Sequence, residues 1–258
     1  YITLINIKYY LILKKGRDMF SLKNYSIIVM LFFSLALPLG GIGISGLSNF
    51  ISYDSNDSSS DNISSFNLSF QNNGSEQGLN FFLYFDALPF DLAIEYSREF
   101  KYQELSSTIV FNNEAEGETF VLNNPTYAGR ISDYFTIRKD MMDLSIPILA
   151  KVALSVGGGF NKHESILPSI ALLKDIYNVD DLTNLYDASE QDWDSNAIYE
   201  ALADNTIDAS GIHLQCGVQA KVLMLNAFIN AKYTFIISDD NNSLDSFPGL
   251  TFGLAYGL

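Results

Sequence analysis

The sequence predicts an all-β protein: a closed antiparallel up-and-down transmembrane β-barrel of about eight strands. Three observations lead to this prediction. Long segments alternate, residue by residue, between a large apolar face and a small or polar face, which is the period of a β-strand. Several of these segments exceed the ~5–6 residues of ordinary strands and approach the ~9–11 that a tilted strand needs to cross a bilayer. The connections between them are alternately short and long, as in membrane barrels.

The clearest alternation ends the chain. From Leu250 to Leu258 large apolar side chains occupy one face, small residues such as Gly253 and Ala255 occupy the other, and neither face carries a charge. A soluble sheet exposes charge on the face it does not bury. In a membrane barrel, by contrast, lipid contacts the large residues and the small ones face a crowded lumen.

The stretch Phe247–Leu258 therefore resembles the C-terminal strand of Gram-negative outer-membrane β-barrel proteins, of the small OmpA/OmpW-like architecture. The resemblance implies a place in the bacterial outer membrane and export by the general secretory route. It also implies contact with outer-membrane lipid and insertion by the barrel-assembly machinery.

The same alternation upstream predicts six further strands and the connections between them. The strands are expected near 79–87, 90–102, 131–146, 149–160, 210–224 and 226–238. Tight turns join them in pairs at Leu88-Pro89, around Pro147 and at Leu225-Asn226. The polar connections at 103–130, 161–209 and 239–246 are longer and are predicted to be outer loops.

Two segments compete for the first strand of the ring. Gly41–Tyr53 is favoured, because its glycines resemble those of the last strand, with which it would pair. Ile63–Phe70 is the alternative and could instead extend a hairpin. Between them Asp54–Asn62 consists almost wholly of Ser, Asp and Asn, and we expect a solvated loop there.

Residues 1–40 are predicted to be an N-terminal extension followed by a signal peptide, with the barrel occupying 41–258. Met19 is a plausible start, Lys23 supplies a positive region and Ile27–Leu37 an apolar core, which Pro38 ends. An uncleaved membrane anchor is the alternative, because no charge follows Lys23 until Asp54.

The connection 161–209 is predicted to be a partly helical, acidic outer loop. Apolar residues recur in it at helical spacing, and ten Asp/Glu but no Lys or Arg lie between Asp175 and Asp208. The whole chain has a net charge of −15, which excludes binding of nucleic acid through a phosphate-neutralising patch. A single cysteine, Cys216, excludes an internal disulfide framework.

Charged and polar residues on the small face of the strands are predicted to face the lumen. The interior of an eight-stranded barrel is only wide enough for side chains, so buried charges there must pair, which argues against a general pore. The predicted lumen-facing residues are Asp91, Glu95, Lys151, His213, Gln215, Lys221 and Lys232.

Two motifs in the sequence suggest ligands without meeting their requirements. Gly41–Gly46 matches G-x-G-x-x-G, but the strand and helix that a dinucleotide site needs are missing around it, and no cofactor is predicted. Asp192, Asp194 and Asn196 begin like a calcium loop, yet Ala197 stands where that loop requires glycine. An EF-hand is excluded, and these three residues remain weak calcium candidates, with divalent cations as possible partners.

No catalytic residue is predicted. His163 and His213 share no ligand spacing, and the chain offers no tight Ser/His/Asp motif. We therefore expect a non-enzymatic membrane protein with a structural or surface-interaction role. The alternatives left open are a narrow cation-preferring channel, a lipid-modifying barrel enzyme and a secreted β-sandwich.

Overall fold

The computed structural model describes residues 40–257 except 54, 61–63, 73, 114–116, 147–148, 178–194 and 240–243. The predicted signal peptide thus lies outside the described residues. The secondary structure elements are β1 (Gly40–Asn49), β2 (Ser55–Ser60), β3 (Ser64–Asn72), β4 (Glu76–Leu88), β5 (Leu92–Asn113), β6 (Glu118–Ile146), β7 (Ala150–Ile166), α1 (Ile170–Tyr177), α2 (Ser195–Asp204), β8 (Thr206–Val222), β9 (Leu225–Asp239) and β10 (Phe247–Gly257). Neither helix is long and apolar enough to cross a membrane.

Eight of these strands close into a ring. β1 pairs with β4 on one side and β10 on the other, β4 to β10 follow one another antiparallel, and the β5–β6 pairing completes the circle. The predicted barrel is confirmed, and the first of the two candidate segments is the strand that closes it against the C-terminal strand. A β-sandwich is excluded, because two packed sheets would leave the ring open.

The strands are strongly tilted around the barrel. The partners followed once around the ring from Gly41 are Tyr84, Glu95, Thr136, Gly159, His213, Thr234 and Phe247. Phe247 lies beyond the pairing of Asn49 with Gly249, at the opposite end of β1 from Gly41. A stagger of this size accompanies the tilt of a closed eight-stranded barrel.

Large apolar side chains project outward from all eight strands and form a belt around the barrel. Representative exposed members are Ile44, Leu79, Phe81, Phe100, Phe135, Val152, Leu154, Leu214, Val218, Ile229, Phe252 and Leu254. An exposed apolar surface of this extent is covered by acyl chains in a membrane barrel. We call the end with the tight turns the inner end and the end with the long connections the outer end.

A charged pair interrupts this belt on neighbouring strands. Arg98 of β5 lies directly opposite Asp133 of β6. Its Nε and Nη2 donate hydrogen bonds of 2.8 and 2.7 Å to the two carboxylate oxygens, and the Tyr96 hydroxyl donates a third of 2.7 Å. Such a bidentate pair neutralises both charges on the outward face.

The apolar face changes sides along β5. Up to Tyr102 the outward side chains are apolar, with Phe100 exposed and Glu99 buried inside. Beyond that point Glu104 faces outward and Leu105, only 1% exposed, faces inward. Lipid covers the outside below this reversal and water covers it above, so the reversal marks the outer limit of the belt.

Above the belt a four-stranded outer sheet continues from the barrel. It consists of β2, β3 and the outer halves of β5 and β6: β3 pairs with 105–113 of β5, which pair in turn with 118–126 of β6. The prediction of a polar loop at 103–130 is wrong, because β5 continues to Asn113 and β6 begins at Glu118, so most of this range is paired strand above the belt. The prediction of a loop at Asp54–Asn62 is wrong for Ser55–Ser60, whose backbone pairs with β3 although its side chains show no apolar pattern.

The connection between β7 and β8 holds both helices. β7 extends to Ile166 and β8 begins at Thr206, so this connection is shorter than the predicted 161–209. Helix α1 begins after Ser169, whose hydroxyl accepts a 3.0 Å hydrogen bond from the backbone N–H of Leu172, an N-terminal cap. Ile170 is buried and anchors the helix to the outer end of the barrel.

Closure of the ring depends on glycine where β1 meets β10. A Cβ at Gly253 would lie 2.4 Å from the Cβ of Ser45, whereas one at Gly46 would meet no described atom within 4 Å.

We expect Gly253→Val to destabilise the barrel by about 1–3 kcal/mol or to prevent closure, because overpacking forces neighbours apart. Gly46→Val should fold like wild type. The measurement is the fraction with heat-modifiable gel mobility after refolding into micelles, with urea midpoints, and equal behaviour of the two variants would contradict this account.

Candidate functional site

The barrel interior holds a set of buried charged side chains, which we call the lumen network. They come from β4, β5, β6 and β9, where every second residue points inward. All are less than one-tenth exposed: Glu76, Glu95, Glu99, Lys101, Arg130, Arg138 and Lys232.

Glu99 is at the centre of the network. It pairs with Lys101 on its own strand at 2.8 Å and with Lys232 across the barrel. Lys101 also donates a 2.8 Å hydrogen bond to the Ser132 hydroxyl. The Lys232 ammonium lies 3.3 Å from the centroid of the Tyr134 ring, a cation–π contact. One carboxylate and one aromatic ring thus hold two lysines inside the lumen.

Arg130 and Glu76 form the next pair towards the outer end. Glu76 also accepts a 2.8 Å hydrogen bond from Asn49 and a 3.4 Å one from the Tyr53 hydroxyl. The guanidinium carbon of Arg130 lies 4.3 Å from the centroid of the Phe247 ring. Tyr53 precedes β2, above the belt, and its burial raises the pKa of its hydroxyl well above the usual range.

The inner end of the lumen opens on a small charged mouth. Glu95 pairs with Arg138 at 3.3 Å just above it. The mouth is a cavity of about 90 Å³, and the charged residues that line it with Arg138 are Asp86, Asp91, Asp140, Lys151 and Lys221. Lys151 pairs with Asp140 at 2.5 Å and Lys221 lies 3.9 Å from Asp86.

The structure places the predicted lumen residues at different depths. Glu95 and Lys232 belong to the lumen network, and Lys151 and Lys221 lie partly exposed at the mouth. Asp91 is exposed in the 3₁₀ turn Pro89–Asp91 and has a φ of 58°, so it lies at the rim and not within a strand.

His213 and Gln215 lie on the inward face of β8. His213 is 1% exposed, and its Nε2 is 2.9 Å from the Thr136 hydroxyl. Its ring packs edge-on against Tyr134, with 5.1 Å between the centroids. Gln215 is half-buried two residues further along. His213 thus contributes packing and one hydrogen bond to the lumen.

Sequence reasoning missed a serine, a histidine and an asparagine that meet in the lumen. His163 Nδ1 is 2.6 Å from the Ser132 hydroxyl and its Nε2 is 2.9 Å from Asn161 Oδ1. These groups meet because Ser132 and His163 are paired across β6 and β7, a register that one sequence does not reveal. His163 is 0% and Ser132 1% exposed, and Lys101 already donates to the serine oxygen, so an acyl substrate has no access.

An apolar cluster covers the outer end of the lumen; we call it the outer plug. Its side chains come from barrel strands, from the outer sheet, from α1 and from the segment before β10. Phe247 connects this cluster to the lumen network below it. Its buried members are Ile51, Tyr53, Phe66, Leu68, Phe70, Leu105, Ala128, Ile170, Ala209, Leu244 and Phe247. Their burial keeps this cluster together above the belt.

The calcium candidates remain a prediction. Asp192 and Asp194 lie outside the described residues, and Asn196 is exposed on α2. Among the described residues no group of three or more His, Cys, Asp or Glu side chains could hold a metal ion.

Comparisons with known proteins give distant likenesses to small outer-membrane barrels. No protein-family model matches the chain, and no curated protein matches it. Neisserial surface protein A (NspA) is 9% identical, with a TM-score of 0.37, over 85% of this chain and 97% of that one. Ail of Yersinia pestis is 9% identical, with a TM-score of 0.32 and the same coverage. Likenesses this distant establish neither a family nor a role, and the closed ring and its belt show the architecture, that of a small eight-stranded membrane β-barrel.

Removing the central carboxylate should destabilise the barrel strongly. In Glu99→Gln, Lys101 and Lys232 lose their shared counter-charge in a desolvated interior, and breaking a buried pair costs about 3–5 kcal/mol. The measurement is the urea unfolding midpoint in micelles. Lys162→Gln is the matched control, because Lys162 pairs with Glu164 at the exposed surface, where ion pairs contribute little. Equal shifts in the two variants would contradict a packed, paired lumen.

Proposed function

We propose that this protein is a non-enzymatic β-barrel of the bacterial outer membrane with a structural or surface-interaction role. The observation that carries the proposal is that the lumen is closed at two levels while the outer sheet extends above the belt. The working surface is then on the outside of the barrel.

Closure of the lumen argues against a channel. At mid-depth the lumen network spans the barrel from β5 to β9 through Glu99 and Lys232. Above it the outer plug covers the interior with apolar side chains. A conducting path would have to break desolvated ion pairs and also wet an apolar cluster.

The outer sheet has two edges that support an interaction role. In the described part of the chain β2 pairs only with β3, and 118–128 of β6 pair only with β5. Unpaired strand edges are templates for a partner strand. Val121 and Tyr127 on the second edge strand are 55% and 61% exposed, large side chains in a region that water covers.

Charge favours a basic partner or divalent cations over an anionic one. Nine acids and no Lys or Arg lie between Asp175 and Asp204, in the connection that carries both helices, and Asp208 follows in β8. A surface of one sign attracts ligands of the opposite sign and repels polyanions.

An enzyme is the weaker alternative, although Ser132, His163 and Asn161 have hydrogen-bond geometry. A nucleophile must reach its substrate, and the three side chains are buried below the outer plug. Their contacts with Lys101 and Tyr134 make them part of the packing of the lumen.

A closed lumen predicts silence in planar bilayers. The purified protein should give no discrete conductance steps in potassium chloride, whereas a porin reconstituted in the same way should conduct. Regular cation-selective steps, altered in Glu99→Gln, would identify a channel and refute the proposal.

The acidic outer connection predicts binding to a polycation. Protein in neutral detergent should bind immobilised poly-lysine, should lose that binding as salt is added, and should not bind heparin. Removing outer charge with Glu200→Gln and Asp204→Asn should weaken binding more than Asp91→Asn with Asp143→Asn, which removes as much charge at the inner end. Equal weakening would show only the effect of net charge, and heparin binding would contradict the proposed partner class.

A further inference from the structure

A groove runs along β1 on the lipid-facing side of the barrel. Gly46 lies opposite Leu79 of β4 on one side and Phe252 of β10 on the other, so the strand in the middle lacks a side chain where both neighbours carry large ones. Leu250 and Ile229 continue the wall of this groove, which has a volume of about 660 Å³. The groove lies within the belt and faces the bilayer.

Among the described residues, none packs against Gly46 closely enough to require a glycine there. A Cβ at Gly43 would lie 2.1 Å from the Phe82 ring and one at Gly253 2.7 Å from the Phe228 ring, so these glycines make room for lumen aromatics. A Cβ at Gly46 would meet no atom of the described chain within 4 Å, not even the ring of Phe252 that could have covered it. Glycine in a strand weakens the strand and often marks the close approach of a ligand. The empty position therefore leaves room for an occupant from outside the described part of the chain.

The outer end of the groove is polar but uncharged. Ser48 and Gln77 face each other across β1 and β4. Gln77 donates hydrogen bonds of 3.0 and 2.6 Å to the hydroxyls of Ser48 and Ser75. Below them the lining is apolar, and no charged side chain is among the described residues that line the groove. This sequence of surfaces, apolar in the belt and hydrogen-bonding at its outer limit, matches an amphiphile.

We propose that the groove holds one acyl chain of an outer-leaflet lipid, whose uncharged linkage region lies beside Ser48 and Gln77. The inference goes beyond the surface role proposed above, since it needs only that the belt lies in a bilayer. An acyl chain is favoured over a second copy of this protein, because apolar surface gives no hydrophobic driving force for protein association within lipid. The charged pair of Arg98 and Asp133, the polar group that could attract a copy, lies outside the groove's lining.

Photo-cross-linking in nanodiscs tests the site. The full protein is placed in dimyristoylphosphatidylcholine containing a trace of an analogue with a diazirine at mid-chain, and cross-links are mapped by peptide mass spectrometry. Wild type should concentrate cross-links on the peptides that carry Leu79 and Phe252, relative to the one that carries Phe135, which is exposed on β6. Gly46→Leu fills the groove and should reduce this enrichment to the Phe135 level, and Gly46→Ala should reduce it partly.

Cys216→Leu is the matched control. Cys216 is exposed on the outward face of β8, three strands from β1 around the ring, and its replacement adds bulk to the belt away from the groove. It should keep the wild-type pattern, and all variants are first checked for heat-modifiable mobility. Unchanged enrichment in Gly46→Leu, or no enrichment in wild type, overturns the proposal. A shift from dimer to monomer in native mass spectra of Gly46→Leu would assign the groove to a second copy and overturn it as well.

Discussion

The constraint on which the structure depends is that backbone N–H and C=O groups in the hydrocarbon layer must bond to one another. A sheet meets this condition only when its first and last strands pair, so the seam between β1 and β10 determines whether the other strands can cross the membrane. The seam uses glycine because bulky lumen side chains lie directly behind it: Phe82 fills the space where Gly43 would carry a side chain, and Phe228 does so beside Gly253. Close packing inside and backbone pairing at the seam are therefore one requirement.

Closure in turn determines the chemistry of the interior. Eight strands leave room for side chains only, and the charges placed there must neutralise one another across the barrel. Glu99 does this by pairing with Lys101 on its own strand and Lys232 on another. The contact with Lys232 ties β5 to β9 across the barrel, so the lumen network supports the ring as well as filling it.

The alternation in the sequence correctly predicted the part of each strand that lies in the belt. It did not predict the parts of β5 and β6 that extend above the belt. Within the belt the two faces of a strand meet lipid and lumen, so residues such as Phe100 and Glu99 differ in a way that a period of two reveals. Above the belt the apolar face turns inward and the outward face meets water, so 103–130 resembled a loop although its backbone continues the ladder. The alternation along each strand correctly predicted that Glu95 and Lys232 face the lumen. Contacts between strands depend on the register of their pairing, which the alternation does not reveal, and the contact of Ser132 with His163 was therefore not predicted.

A filled lumen also bears on how the outer sheet can work. The outer halves of β5 and β6 are continuations of barrel strands and not a separate module. The lumen network packs against the barrel halves of these strands, so the outer sheet is held at a fixed orientation to the membrane. A partner strand can add to one of the edges of this sheet. The edge is already extended, so little conformational entropy of the sheet would be lost on binding. The acids near α2 lie on another connection at the same outer end and would act over a longer range. Short-range backbone pairing and long-range charge can therefore act on one partner from two different parts of the outer end.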